Sequence, residues 1–142
     1  MVYVDTGVVV ALIVPETHSA AVARWYARSR ADLVSAFRCV AEFASALSTR
    51  QRAGQLDAAQ AEAAWQRFLR LATNDLALPP LAAAPEFHLA AGFALDATNT
   101  PLAGDPLHLA SATQAGVKSM ATLDAVLGRN ARRLKMKLVP FA

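Results

Sequence analysis

A single cysteine, Cys39, is all the thiol chemistry this sequence holds. It can form no internal disulfide, so nothing calls for an oxidising compartment. Long apolar runs are missing too. The longest unbroken one, Val8 to Val14, follows Asp5 and is closed by Pro15 and Glu16, far short of the ~20 residues a membrane helix needs. Nothing basic precedes Asp5, as a secretory signal would require, and the expectation is a soluble, cytoplasmic protein with no membrane partner. His18, His88 and His108 make no zinc pattern with Cys39, and no His-Glu-x-x-His occurs, which removes the common zinc sites. There is neither a Gly-x-Ser-x-Gly elbow nor a Gly-rich phosphate loop, which argues against Ser-His-Asp hydrolases and P-loop enzymes. Internal repeats and low-complexity linkers are also absent.

What is present is a chain of 142 residues, 55% hydrophobic and 18% charged. That length predicts one domain, residues 1–142, and that apolar content predicts a sizeable core rather than disorder. Fourteen Lys and Arg against eleven Asp and Glu leave a net charge of +3, which permits a nucleic-acid partner without requiring one.

The residue pattern alternates short β-branched runs with helical periodicity. Val2-Tyr3-Val4 reads as a strand, and Asp5-Thr6-Gly7 opens an apolar helix to Val14. A second helix is predicted from about His18 to Arg28, a strand at Leu33-Val34, and a longer helix from Ala36 to Arg52 stopped by Gly54. Asp57 caps a helix to about Leu71, and Leu76 to Leu78 is a strand ended by Pro79-Pro80. Further helices are expected from Pro85-Glu86 to about Ala97, from Gly104-Asp105-Pro106 to Gly116, and from Asp124 to Leu134. Strands are expected at Lys118 to Thr122 and Lys137 to Val139, and a loop over Leu81 to Pro85. Strands separated by helices imply an α/β class, with parallel strands joined by right-handed crossovers and helices on both sheet faces.

Four of the eleven carboxylates sit where a carboxylate needs a reason. Asp5 directly follows the first strand, and open α/β sheets bind ligands at the carboxyl ends of their strands. Asp124 is placed the same way after the Lys118 to Thr122 strand. Asp105 heads a helix whose next turn is apolar, and Glu42 lies on a flank of small residues, Cys39, Ser45 and Ala46. Helix capping accounts for Asp105 or Asp124 taken singly, and a pair with Arg38 accounts for Glu42. Asp5 is harder to dismiss, because Thr6 is available as a cap. If the four converge, mutual repulsion raises their pKa values unless a cation neutralises them. Mg²⁺ or Mn²⁺, hard ions that favour oxygen ligands, are the natural choice, and phosphodiester hydrolysis by metal-activated water is the chemistry that follows.

With those residues in place, the chain resembles the PIN-domain ribonucleases, and specifically the VapC-like toxins of bacterial toxin–antitoxin pairs. The resemblance rests on Val2-Tyr3-Val4-Asp5-Thr6, on Val40-Ala41-Glu42-Phe43, on Gly104 to Ala110, and on Ala121-Thr122-Leu123-Asp124 before a helix and a short last strand. It implies a three-layer α/β/α fold with a central, mainly parallel, short-stranded sheet. It also implies an acidic quartet of Asp5, Glu42, Asp105 and Asp124 for metal-dependent endoribonucleolytic cleavage. In that scheme Asp5 and Asp105 are the principal ligands of Mg²⁺ or Mn²⁺, Asp124 is a further one, and Glu42 positions or activates the attacking water. An RNA substrate, a cognate antitoxin and a homodimer are implied with it. Gly7 stands where the family often has Ser, and Pro106 where Ala is common.

Thr122 is expected either to bond a carboxylate or phosphate or to cap the last helix, and His108 to be packed or solvent-facing more readily than to lean over the site. Arg24, Arg28 and Arg30, and Arg129, Arg132, Arg133, Lys135 and Lys137, are candidate phosphate-contacting surfaces, with solvated helix faces the commoner explanation. Trp25 and Tyr26 are expected to pack rather than stack on bases. An aspartyl-phosphate phosphatase usually needs a second Asp where Gly7 stands. A response-regulator domain would combine its Asp cluster with a lysine, and a catalytically idle PIN-like module would bind RNA or protein without cleaving it.

Overall fold

In the first strand Val2 and Val4 face one way and Tyr3 the other, so the short run Val2–Val4 (β1) contributes to two separate cores. In this computed structural model, residues 1–80, 83–96 and 105–141 are described, apart from the side chains of Ala83 and Asp105. After β1 come helices Thr6–Ile13 (α1) and Ser19–Arg28 (α2), strand Leu33–Val34 (β2), helices Cys39–Arg52 (α3) and Ala58–Asn74 (α4), and strand Leu76–Ala77 (β3). Helices Ala83–Leu95 (α5) and Asp105–Gln114 (α6), strand Ser119–Ala121 (β4), helix Ala125–Arg133 (α7) and strand Lys137–Leu138 (β5) complete the order.

The five strands form one parallel sheet in the order β3-β2-β1-β4-β5. On one face Val2 and Val4 bury against Val8, Val9, Val22, Phe43 and Phe68, from α1 to α4. There Phe43 stacks on Phe68 at 4.6 Å and Trp65 on Phe68 at 5.4 Å, joining α3 to α4. On the other face Tyr3, Val34 and Met120 pack with Leu109 and Ala112 of α6 and Leu127 and Ala131 of α7. The result is the expected three-layer α/β/α sandwich. Because the chain winds outward from β1 in both directions, the switch in winding lies between β1 and β4, where open α/β sheets form a crevice.

Most expected elements are present, with boundaries moved for identifiable reasons. Helix α3 starts at Cys39 rather than Ala36, because Ser35 is still pairing its amide with the Ala77 carbonyl and a turn from Ala36 to Cys39 must follow. It closes as expected: Gly54 takes a φ of +75° and the Gln55 amide reaches back to the Arg50 carbonyl. Asp57 and Gln60 form a reciprocal capping box for α4, which meets no breaker and runs to Asn74 instead of Leu71.

Helix α5 opens at Ala83, leaving Pro85 in the first turn, where its missing N–H costs nothing. Helix α6 ends at Gln114, two residues early, as Gly116 turns with φ +68°. The expected strands at Leu76 to Leu78, Lys118 to Thr122 and Lys137 to Val139 are each trimmed. Leu81 and Ala82 of the expected loop, Gly104, and Ala97 at the expected helix end lie outside the described residues. Among the described residues, no helix is long and apolar enough to cross a membrane.

Candidate functional site

Asp5 leaves β1 with its amide bonded to the Ala121 carbonyl at 3.0 Å, extending the β1–β4 pairing to the mouth of the crevice. It occupies the N-cap position of α1, yet its side chain makes no capping bond. The carboxylate is buried instead: Thr122 Oγ1 donates to Oδ2 at 3.0 Å, and His108 Nε2 lies 3.6 Å from Oδ1. Burial raises the Asp5 carboxyl above its ordinary value; His108 and the Thr122 hydrogen bond pull it back, and the nearby charges of Glu42 and Asp124 raise it again.

Glu42, in the first turn of α3, behaves differently. Its Oε1 gathers three donors: Arg38 Nε at 2.9 Å, His108 Nε2 at 3.1 Å and Thr6 Oγ1 at 3.2 Å. Burial opposes its charge, but the hydrogen bond and electrostatic pull of His108, reinforced by the Arg38 guanidinium, outweigh that and hold the carboxyl below its ordinary value. The expectation that convergence raises every member of the set is therefore corrected at Glu42, whose negative charge is already matched by donors. Its Oε2 receives no hydrogen bond from the described residues. The expected pair with Arg38 is present, alongside the contacts to the site rather than instead of them.

Asp124 caps α7, its Oδ1 accepting from the amides of Val126 at 2.7 Å and Leu127 at 2.9 Å. Its capping and its place beside Asp5 coexist, since Oδ2 is not used by the cap. Thr122 links the two acids: its hydroxyl accepts from the Asp124 amide at 3.0 Å while donating to Asp5. The structure thus brings Asp5, Glu42 and Asp124 to one place. Asp105 opens α6, the helix that carries His108 into the site, but its side chain lies outside the described residues.

Two residues at the centre were not assigned to the site from sequence. His108 is 3% exposed and reaches both Asp5 and Glu42, so the expectation that it packs or faces solvent rather than leaning over the site is corrected: α6 carries its ring onto the two acids. Behind it Tyr3, fully buried, holds His108 Nδ1 through its hydroxyl at 2.7 Å. The available signals were a tyrosine alternating with valines in a buried strand, whose polar tip must find a partner, and the one-turn spacing from Asp105 to His108. Gly7 stands close by: a Cβ there would lie 3.5 Å from Asp5 Oδ2, ordinary contact distance. Burial pushes the Cys39 thiol up to about 11, so it stays protonated and takes no nucleophilic part.

Elsewhere, Trp25 packs edge-on against Phe141 at 5.6 Å and Tyr26 donates to Asp75 Oδ2 at 2.7 Å, so both serve packing. The arginines and lysines of the two basic clusters are exposed on and beside α2 and α7. A cavity of about 720 Å³ lies away from the acids; it is lined by Val14, Arg50, Leu56, Gln60, Ala64 and Arg67 among others. Among the described residues, no three His, Cys, Asp or Glu side chains form a ready metal cage. The donors that do meet are carboxylate oxygens, suited to a hard cation, and Mg²⁺ is usually held by only one or two carboxylates with water completing its shell. That donor set fits such an ion.

The sequence profile of the PIN-domain family matches residues 2–133. Among solved structures, VapC20 of Mycobacterium tuberculosis, a toxin that cleaves the sarcin–ricin loop, superposes with a TM-score of 0.71 at 16% identity, covering 92% of this chain and 95% of that one. FitAcB from Neisseria gonorrhoeae superposes with a TM-score of 0.74 at 18% identity, covering 99% of this chain and 97% of that one. Both share the fold. A search of curated proteins by sequence finds no match.

Proposed function

This chain belongs to the PIN-domain family, and on that premise we propose that it is a Mg²⁺- or Mn²⁺-dependent endoribonuclease. In this reading it acts as one PIN domain, residues 1–142, and serves as the toxin of a toxin–antitoxin pair. The observation that carries the chemistry is the meeting of Asp5, Glu42 and Asp124 at the β1–β4 crevice, with Asp5 raised by burial and by its acidic neighbours. Such a carboxylate gains most from a cation. Asp5, Asp105 and Asp124 would hold it, Asp124 through the oxygen its cap leaves over. When bound, the ion lowers the pKa of a water molecule and offsets charge developing on a phosphoryl oxygen.

The chain's own groups do the positioning. Glu42, with Oε1 occupied by three donors, orients the attacking water through Oε2 and accepts its proton. Thr122 keeps the Asp5 carboxylate in place. Exposed arginines and lysines on and beside α2 and α7 offset the repulsion between an acidic crevice and a phosphate backbone. The similarity to a toxin that cleaves RNA supports an RNA substrate, and a cognate antitoxin and a homodimer complete the proposal.

The test is cleavage of RNA by the purified protein with Mg²⁺, with Mn²⁺ and with chelator. Activity should need the metal and fall at least ~100-fold in Asp5→Asn, as loss of several kcal/mol of transition-state stabilisation implies. Equal cleavage by wild type and variant would mean a contaminating nuclease, and the proposal would fail.

A further inference from the structure

The chemistry just proposed gives Tyr3 no part and His108 only its bond to Glu42, yet both are deeply buried at the site. We infer that they form a positioning device, in which the Tyr3 hydroxyl fixes the His108 ring so that its Nε2–H holds Glu42 Oε1 and leaves Oε2 for the substrate water. This rests on the role given to Glu42 above. The donor count supports it. Among the described residues Nε2 faces only acceptors, Glu42 Oε1 at 3.1 Å and Asp5 Oδ1 at 3.6 Å, so the proton of a neutral ring belongs on Nε2. Nδ1 must then accept, and the 2.7 Å contact is a donation from the Tyr3 hydroxyl.

The device is rigid because both rings are enclosed. Tyr3 sits between β2 and β4 with Val34, Leu109 and Met120 around it, and its ring meets that of His108 edge-on at 5.8 Å. Its phenol is kept protonated by burial and by the charge of Asp5. Beyond it, Ser111 of α6 approaches the Tyr3 hydroxyl and donates to the buried Glu86 of α5, so the anchor continues into the outer helix layer. The three donors on Glu42 come from three different elements: Thr6 of α1, Arg38 before α3 and His108 of α6. Only the last spans the sheet's two faces. A carboxylate so held loses its freedom to turn, which is what precise placement of a water molecule demands.

The tautomer is directly readable from two-bond ¹H–¹⁵N spectra of the metal-free protein at pH 8. His108 should show a protonated Nε2 and a bare Nδ1, and Tyr3→Phe, which keeps the ring and removes the donor, should mix the two tautomers. In metal-loaded cleavage assays Tyr3→Phe should lower kcat about ten- to a hundredfold with KM within about twofold. His108→Gln, which restores an N–H near Nε2, should retain more activity than His108→Ala at similar melting temperature. A proton found on Nδ1 of His108, or a Tyr3→Phe variant with wild-type kcat and an unchanged tautomer, overturns the inference. A wild-type protein that cleaves no RNA overturns the proposed function instead, and the spectra then still decide whether Tyr3 sets the ring.

Discussion

Asp5 and Asp124 begin as the same local signal: an aspartate that follows a strand of one parallel sheet and stands at the N-cap of the next helix. Their side chains are put to opposite uses. Asp124 commits Oδ1 to two helix amides and stays partly exposed, whereas Asp5 makes no capping bond, is buried, and is bonded by a threonine 117 residues away. The first residue contributes to stability whatever else it does; the second is a carboxylate kept in a place where its charge is costly. A strand–Asp–helix pattern therefore marks a position at the crevice, and only the partners drawn in from elsewhere determine what the oxygens are free to do.

The sharpest way to separate the two is Asp5→Asn. Beyond its loss of cleavage, this variant should melt no lower than wild type in chelator, since no cap is lost and a buried charge is removed. The pH dependence has a definite sign. A carboxyl raised in the folded state makes the protein more stable as the pH falls through its raised value toward the ordinary one. Metal-free wild type should thus gain on Asp5→Asn during acidification, as read from urea midpoints across a pH series. A variant that loses ground at neutral pH would show that Asp5 is a structural residue after all.

Asp124 should respond in the opposite way. Asp124→Ala should cost about 1 kcal/mol through the lost cap, a drop of roughly 2–5 °C in melting temperature, while Asp124→Asn should keep the cap. Both should impair metal-dependent cleavage, and equal melting temperatures for the two variants would contradict the capping role. The smallest effect is expected at Gly7, beside Asp5. Gly7→Ser meets only an ordinary contact with Oδ2, so stability should move by no more than about 0.5 kcal/mol and cleavage should persist. A large loss would mean that the space beside Asp5 is needed by a ligand.

Much of the fold was legible because the signals were local. The Val2-Tyr3-Val4 run, the Asp57 cap and the Gly54 stop each act within a few residues, and each is found where it was expected. Boundaries moved where a long-range bond intervened, as when Ser35 stayed paired to Ala77 and delayed α3. At the site, the acids were legible as positions, but Tyr3 and His108 were not, because their significance lies in a contact spanning 105 residues.

The sequence by itself determined which side chains stand at strand ends and helix starts, since periodicity and capping are properties of neighbouring residues. Tertiary structure alone decided that Asp5 is buried and raised while Glu42 is held low, because burial and donor count depend on which elements the sheet order brings together. Three carboxylates of one chemical kind are thereby given different surroundings and different oxygens to spare.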